Sequence, residues 1–142
     1  MIHLVKLCVG VGSVEELESY RDERQNWWGA NYGNALHVHR TRMMPKRAAE
    51  IARSGSIYWV IAGTISCRQV IEDLVVAEDG EGRACCDILM RPDLIRTAPF
   101  PKRPFQGWRY LEGKDAPPDL GTGAAGGDDG VIAAELHRLG LL

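Results

Sequence analysis

A chain of 142 residues, 45% hydrophobic and 25% charged, has the size and composition of one soluble domain with a real core. No run approaches the roughly 18 apolar residues that a membrane span needs, and the apolar start lacks a basic n-region and a cleavage pattern, so a cytoplasmic protein with no membrane partner is expected. The net charge of −2 hides an asymmetry: residues 31–110 hold twelve basic and eight acidic side chains, whereas both flanks are acidic. A basic centre on a mildly acidic chain points to an anionic partner.

Residues 2–9 alternate as a strand, with Leu4, Lys6 and Cys8 on one face and His3, Val5 and Leu7 on the other. Gly10 and Gly12 break it. Ser13 and Glu16 then form a capping-box pattern that opens a helix over residues 14–25, with Val14 and Leu17 turned inward. Residues 26–34 are a loop rich in Gly and Asn that carries Trp27, Trp28 and Tyr32. Residues 35–43 alternate again and form a second strand. Pro45 suits the first turn of a helix reaching Arg53, and Gly55 suits its stop.

Residues 56–72 are the organising stretch. Ile57, Trp59, Ile61, Ile65 and Cys67 alternate with Tyr58, Val60, Thr64, Ser66 and Arg68, a set that grows more polar towards its end. The period of two predicts one long central strand, with Gly63 marking a bend or bulge. Residues 78–82 are a turn that leads into a strand over 83–90. Residues 92–95 fit a single helical turn, residues 97–104 a proline-stiffened extended segment, and residues 105–111 the last strand. Residues 114–130, poor in large apolar side chains and rich in Gly, Asp and Pro, read as a flexible linker. Residues 131–142 then fit a short helix, with Ile132, Leu136 and Leu139 on one side. The domain proper is thus residues 1–113, an α+β domain with a curved or barrel-like mixed sheet and two main helices.

The blocks HLVKLCVGVGSVEEL, HVHRTRMMPKRAAEI, GSIYWVIAGTISCRQVI and PFQGWRYL, followed by DAPPDLG, resemble an uncharacterised bacterial family, the domain of unknown function 1489 group. That resemblance covers nearly the whole chain and implies no activity and no catalytic residues. The order of strand, capped helix, aromatic loop WGANYGN, basic segment, short helix and aromatic strand is also similar to PUA-like domains, including the EVE and ASCH groups. That likeness implies a small β-barrel with helices between strands and binding of RNA or modified bases.

Three sets of side chains carry the functional expectations. Arg40, Arg42, Lys46 and Arg47 precede or open the short helix and form a candidate phosphate cradle; a solvated charged face explains the same residues. Lys102, Arg103, Gln106 and Arg109 with Trp108 could hold phosphates and stack a base; the plain alternative buries Trp108 in the core. Trp27, Trp28 and Tyr32 could line a pocket or plug one end of the sheet. His37 and His39 share a strand face, read as a polar one. With only His3 and His137 elsewhere and no C-x-x-C pair, no metal site is assigned. The four cysteines read as buried reduced thiols. No nucleophile elbow, P-loop or dinucleotide fingerprint is present, and no catalytic residue and no cofactor is assigned.

The leading expectation is an RNA- or nucleotide-binding module with a basic, aromatic surface. The alternative is a small-molecule sensor or enzyme with its pocket under the Trp27/Trp28 loop. A third is an interaction protein in which residues 131–142 dock on a partner or on a second copy of the chain.

Overall fold

The computed structural model describes residues 1–19 and 36–120. Trp27, Trp28 and Tyr32, most of the expected linker and the whole expected C-terminal helix lie outside the described residues. The described chain is a seven-stranded mixed sheet with two short helices. Its strands are β1 (Ile2–Leu7), β2 (His37–Thr41), β3 (Ser56–Ile61), β4 (Thr64–Glu78), β5 (Ala84–Met90), β6 (Ile95–Pro101) and β7 (Trp108–Glu112). Helix α1 covers residues 14–19 and α2 is Ala48–Ile51. The strands run in the order β2-β5-β4-β3-β1-β7, with β6 paired to β4 off this path. The α+β class with a mixed sheet is as expected. The sheet is open, and does not close into the barrel that the PUA-like likeness implies.

The long strand expected over residues 56–72 is a hairpin. β3 and β4 pair antiparallel around Ala62 and Gly63, whose φ values of 51° and 81° both lie in the left-handed region. Two such residues form the tight turn whose twist matches that of paired strands. The alternation survives the reversal because of a bulge. Val60 faces Ile65, but Trp59 faces Cys67, so Ser66 is an extra residue. It returns Cys67, Gln69 and Ile71 to the face that holds Ile57 and Trp59. On the other flank of β4, three residues of β6 (Thr97, Ala98 and Pro99) stand opposite Ser66 alone. Pro99 has no N–H to donate and falls inside that irregularity.

β4 serves two sheets. Its first half lies between β3 and β6, and its second half pairs with β5, which carries β2. The larger core fills the fold between them. Leu4, Ile57, Trp59 and Cys67 from one side meet Ile71, Ile88 and Met90 from the other, and Val14, Leu17 and Ile51 close it from the helices. Each such aliphatic side chain contributes about 1.5–3 kcal/mol by leaving water. A smaller cluster of Val5, Tyr58, Val60, Ile65 and Leu111 covers the opposite face.

Several local expectations change. The Ser13 hydroxyl accepts from the Glu16 N–H, as a capping box requires, but the Glu16 carboxylate reaches back to the N–H of Gly12, one residue beyond Ser13. α2 is one turn long. Gly55 is needed less as a helix stop than for close approach, since a Cβ there would sit 2.3 Å from the Ile2 carbonyl oxygen. Residues 92–94 form no helical turn. The expected strand over 105–111 begins only at Trp108, after Gly107 at φ 69°. Residues 114–120, expected to begin the linker, are tied to the sheet: Ala98 donates to the Pro118 carbonyl and Leu120 to that of Arg96.

His37 and His39 do not form an exposed polar face. β2–β5 pairing sets them beside Met90 and Ile88, on the core side. Gln69, fully buried, accepts from the Trp59 indole at 2.9 Å, donates to the Arg91 carbonyl at 3.0 Å and contacts His37 Nδ1 at 3.3 Å; His39 sits edge-on to the Trp59 ring. The cysteines are free thiols. Cys67, Cys85 and Cys86 are buried, and Cys8 is partly so. Burial, with Asp87 nearby, pushes the Cys86 thiol up to about 12, so it stays protonated.

Candidate nucleic-acid interface

The first basic group is largely engaged with carboxylates. Arg40 makes two hydrogen bonds to Asp87, at 2.7 and 3.0 Å, and Asp87 is almost fully buried beneath it. Arg42 bonds Asp79 and the Ala84 carbonyl, each at 2.9 Å. Arg47 holds Glu50 in a two-point pair at 2.7 and 2.9 Å, and its backbone N–H donates to the Tyr110 hydroxyl. Each of these arginines thus has its planar fork matched to an internal partner. Lys46 alone of the four makes no ion pair among the described residues.

The second group is different. Lys102, Arg103 and Arg109 make no ion pair with a described carboxylate. They are arranged around the turn from β6 to β7, where Arg103, Gln106 and Arg109 are exposed. The Arg109 guanidinium lies over the Phe105 ring, 5.6 Å from its centre, an arrangement that orients a cation without neutralising it. Beside them a cavity of about 820 Å³ is lined by Phe100, Lys102, Tyr110, Leu111 and residues 116–118. Phe100 and Tyr110 are among the exposed large apolar side chains, at 37% and 38%. Glu112 and Lys114 also line it, 3.7 Å apart. Trp108 is half-buried: its indole donates to the Met43 carbonyl at 2.8 Å, it meets Tyr110 edge-on, and it packs on the main core.

A second cavity, of about 400 Å³, lies on the other side of residues 116–118. It contains polar groups that the sequence reading did not single out. His3 Nδ1 accepts from the Ser56 N–H at 2.9 Å, which leaves the ring proton of the neutral imidazole on Nε2. Tyr58 meets the His3 ring edge-on at 5.1 Å. Arg68 donates to both oxygens of Asp119 at 2.8 Å and to the Ser56 hydroxyl at 2.7 Å. Burial, helped by the Arg68 charge, holds His3 below the usual imidazole range, and burial raises the Tyr58 phenol. One signal did stand in the sequence, the increasingly polar set of alternate residues that includes Tyr58, Ser66 and Arg68. Asp119 gave none, because it sits in a stretch composed like a linker.

Among the described residues no group of three His, Cys, Asp or Glu side chains is placed to hold a metal ion, and no helix is long and apolar enough to cross a membrane. Fold and surface together define an α+β domain built on an open mixed sheet, with a basic rim, paired by no described carboxylate, beside a cavity. The chain matches the family described as Protein of unknown function (DUF1489) over residues 4–142, and belongs to it. No curated protein and no solved structure matches it.

Proposed function

We propose that the protein binds single-stranded RNA or a nucleotide along the β6–β7 rim. Lys102, Arg103 and Arg109 contact phosphates, and a base lies against Phe100 or Tyr110 in the adjoining cavity. The observation that supports this reading is that Lys102, unpaired by any described carboxylate, lines one concavity with the exposed rings of Phe100 and Tyr110, while Arg103 and Arg109 belong to the β6–β7 turn and the strand after it. Stacking on such a ring is worth about 1–3 kcal/mol per base, and phosphate contacts supply a salt-dependent remainder. Arg40, Arg42 and Arg47 have a lesser part, because an anion must compete with Asp87, Asp79 and Glu50 for them. Trp108, whose indole N–H is already used, supports the rim from beneath. Gln106, exposed two positions before it, hydrogen-bonds a base edge in this reading.

The test is fluorescence anisotropy of a labelled ten-nucleotide single-stranded RNA. Three phosphate contacts imply a salt slope of about −2, so affinity should fall about 20-fold between 50 and 200 mM salt. Absence of saturable binding at 50 mM salt, or binding indifferent to salt, overturns the reading.

A further inference from the structure

We propose that the 400 Å³ cavity is a separate binding site for a small oxyanion, the carboxylate or phosphate group of a metabolite, held by His3 Nε2–H, Arg68 and the Ser56 hydroxyl. The argument starts from placement. His3, Ser56 and Tyr58 come from adjacent parallel strands and Arg68 from the next strand across, all turned to the same face. His3, Ser56 and Tyr58 are each more than nine-tenths buried. Burying polar side chains in a row on a sheet costs free energy unless their hydrogen bonds are satisfied.

The donors then outnumber the acceptors. A guanidinium has five N–H groups; Arg68 uses one on Ser56 and two on Asp119, so two have no partner among the described residues. The Ser56 oxygen already accepts from Arg68, so its own proton points elsewhere. His3 accepts at Nδ1 and therefore donates at Nε2. Among the described residues the carboxylate that lines this cavity is that of Asp119, with both oxygens already on Arg68. A wall rich in N–H and O–H groups around one cation is complementary to an oxyanion, and fixed donors bind it without reorganising. The volume lies within the range of small-molecule sites and fits a small metabolite.

Asp119 sets the affinity. It takes the two-point position on Arg68 that a ligand carboxylate would otherwise occupy, and its charge opposes a second anion. Removing that charge while keeping the side chain's shape strengthens anion binding.

Two-dimensional nitrogen–proton spectra that resolve Arg68 Nε and the His3 ring nitrogens provide the test. The protein is titrated with sodium acetate, with inorganic phosphate and with sodium chloride at matched ionic strength. Saturable shifts of both side chains with acetate or phosphate, absent with chloride, support the site, and the arm that responds separates a carboxylate from a phosphate ligand. Asp119→Asn should tighten binding three- to tenfold. If that variant does not fold, Ser56→Ala, which removes one donor, should weaken it at least threefold. Linear shifts of equal size in all three salts overturn the proposal, as does unchanged affinity in the folded variant. The Lys102→Glu/Arg103→Glu protein should keep these shifts, so this site and the RNA rim stand or fall separately.

Discussion

The two basic groups look alike in composition and differ in the folded chain. Residues 40–47 hold four cations, of which three are matched by Asp87, Asp79 and Glu50. Lys102, Arg103 and Arg109 have no such match among the described residues, and the Arg109 guanidinium lies over an aromatic ring instead. The difference teaches that a run of positive residues measures charge but not available charge. Arg40 and Asp87 are 47 positions apart, and β2–β5 pairing sets them opposite each other. An internal carboxylate with fixed geometry outcompetes a mobile external anion, because its ordering cost is met on folding.

The largest effect expected from breaking this contrast is on stability. Asp87→Ala leaves Arg40 without its buried partner. Loss of one member of a fully buried pair costs about 3–5 kcal/mol; the Arg40 side chain is 39% exposed, so about 2–3 kcal/mol is expected in urea unfolding. A loss below 0.5 kcal/mol would place Arg40 with the uncommitted cations.

Next comes the charge reversal Lys102→Glu/Arg103→Glu. RNA affinity at 50 mM salt should fall tenfold or more, about 1.4 kcal/mol, with the urea midpoint unchanged. Equal losses from reversing Lys46, the cation of the first group with no ion pair among the described residues, would dissolve the distinction between the two regions.

Acid should also separate them. Asp79 is held below its ordinary 3.8 first by the Arg83 backbone N–H and then by Arg42. A depressed carboxylate stabilises above its unfolded pKa, and that contribution is lost as pH falls through the lower folded value. The urea midpoints of wild type and Arg42→Ala should therefore differ at pH 6 and converge well below pH 3.8. His3 adds a separate trend. Its folded pKa lies below 6.5, so its contribution is complete above pH 6.5 and declines as pH falls from there towards the folded value. The smallest effect is expected from Arg42→Ala on RNA affinity at neutral pH, less than twofold. A tenfold loss would show that the Asp79 pair does not withhold that arginine.

The hairpin shows how much of the fold could be read. Alternation in residues 56–72 identifies the strand residues, and Trp59 and Ile57 are in the core, but β3 is buried on both faces and Ile65 packs with Tyr58 and Val60 on the other side. The reversal was hidden for two reasons. Ala62-Gly63 is a weaker turn signal than Asn-Gly, and the bulge at Ser66 restores the phase, so the pattern runs on as if the strand were straight. The sequence marks β6 as extended but not as paired, because prolines at 99 and 101 argue against a central strand; pairing survives since Pro99 sits in an irregularity. Residue type suggests a polar face for His37 and His39, whereas the pairing partner of β2 decides which side is inside. The 102–109 rim was legible because its cations are close in sequence. The His3, Ser56, Arg68 and Asp119 cavity was not, because its members come from the two ends and the middle of the chain.

Sequence alone determined the class of structure, the identity of most strands, the capped start of α1 and the existence of two basic clusters. These depend on local physics: the two-residue period of a strand, the hydrogen-bonding reach of Ser13 and Glu16, and the counting of charge. Tertiary structure decided which cations are spent internally, that the sheet stays open, and that a row of polar side chains lines a cavity beneath residues 116–119. Each of these depends on contacts between positions tens of residues apart, and no local pattern encodes which carboxylate meets which arginine.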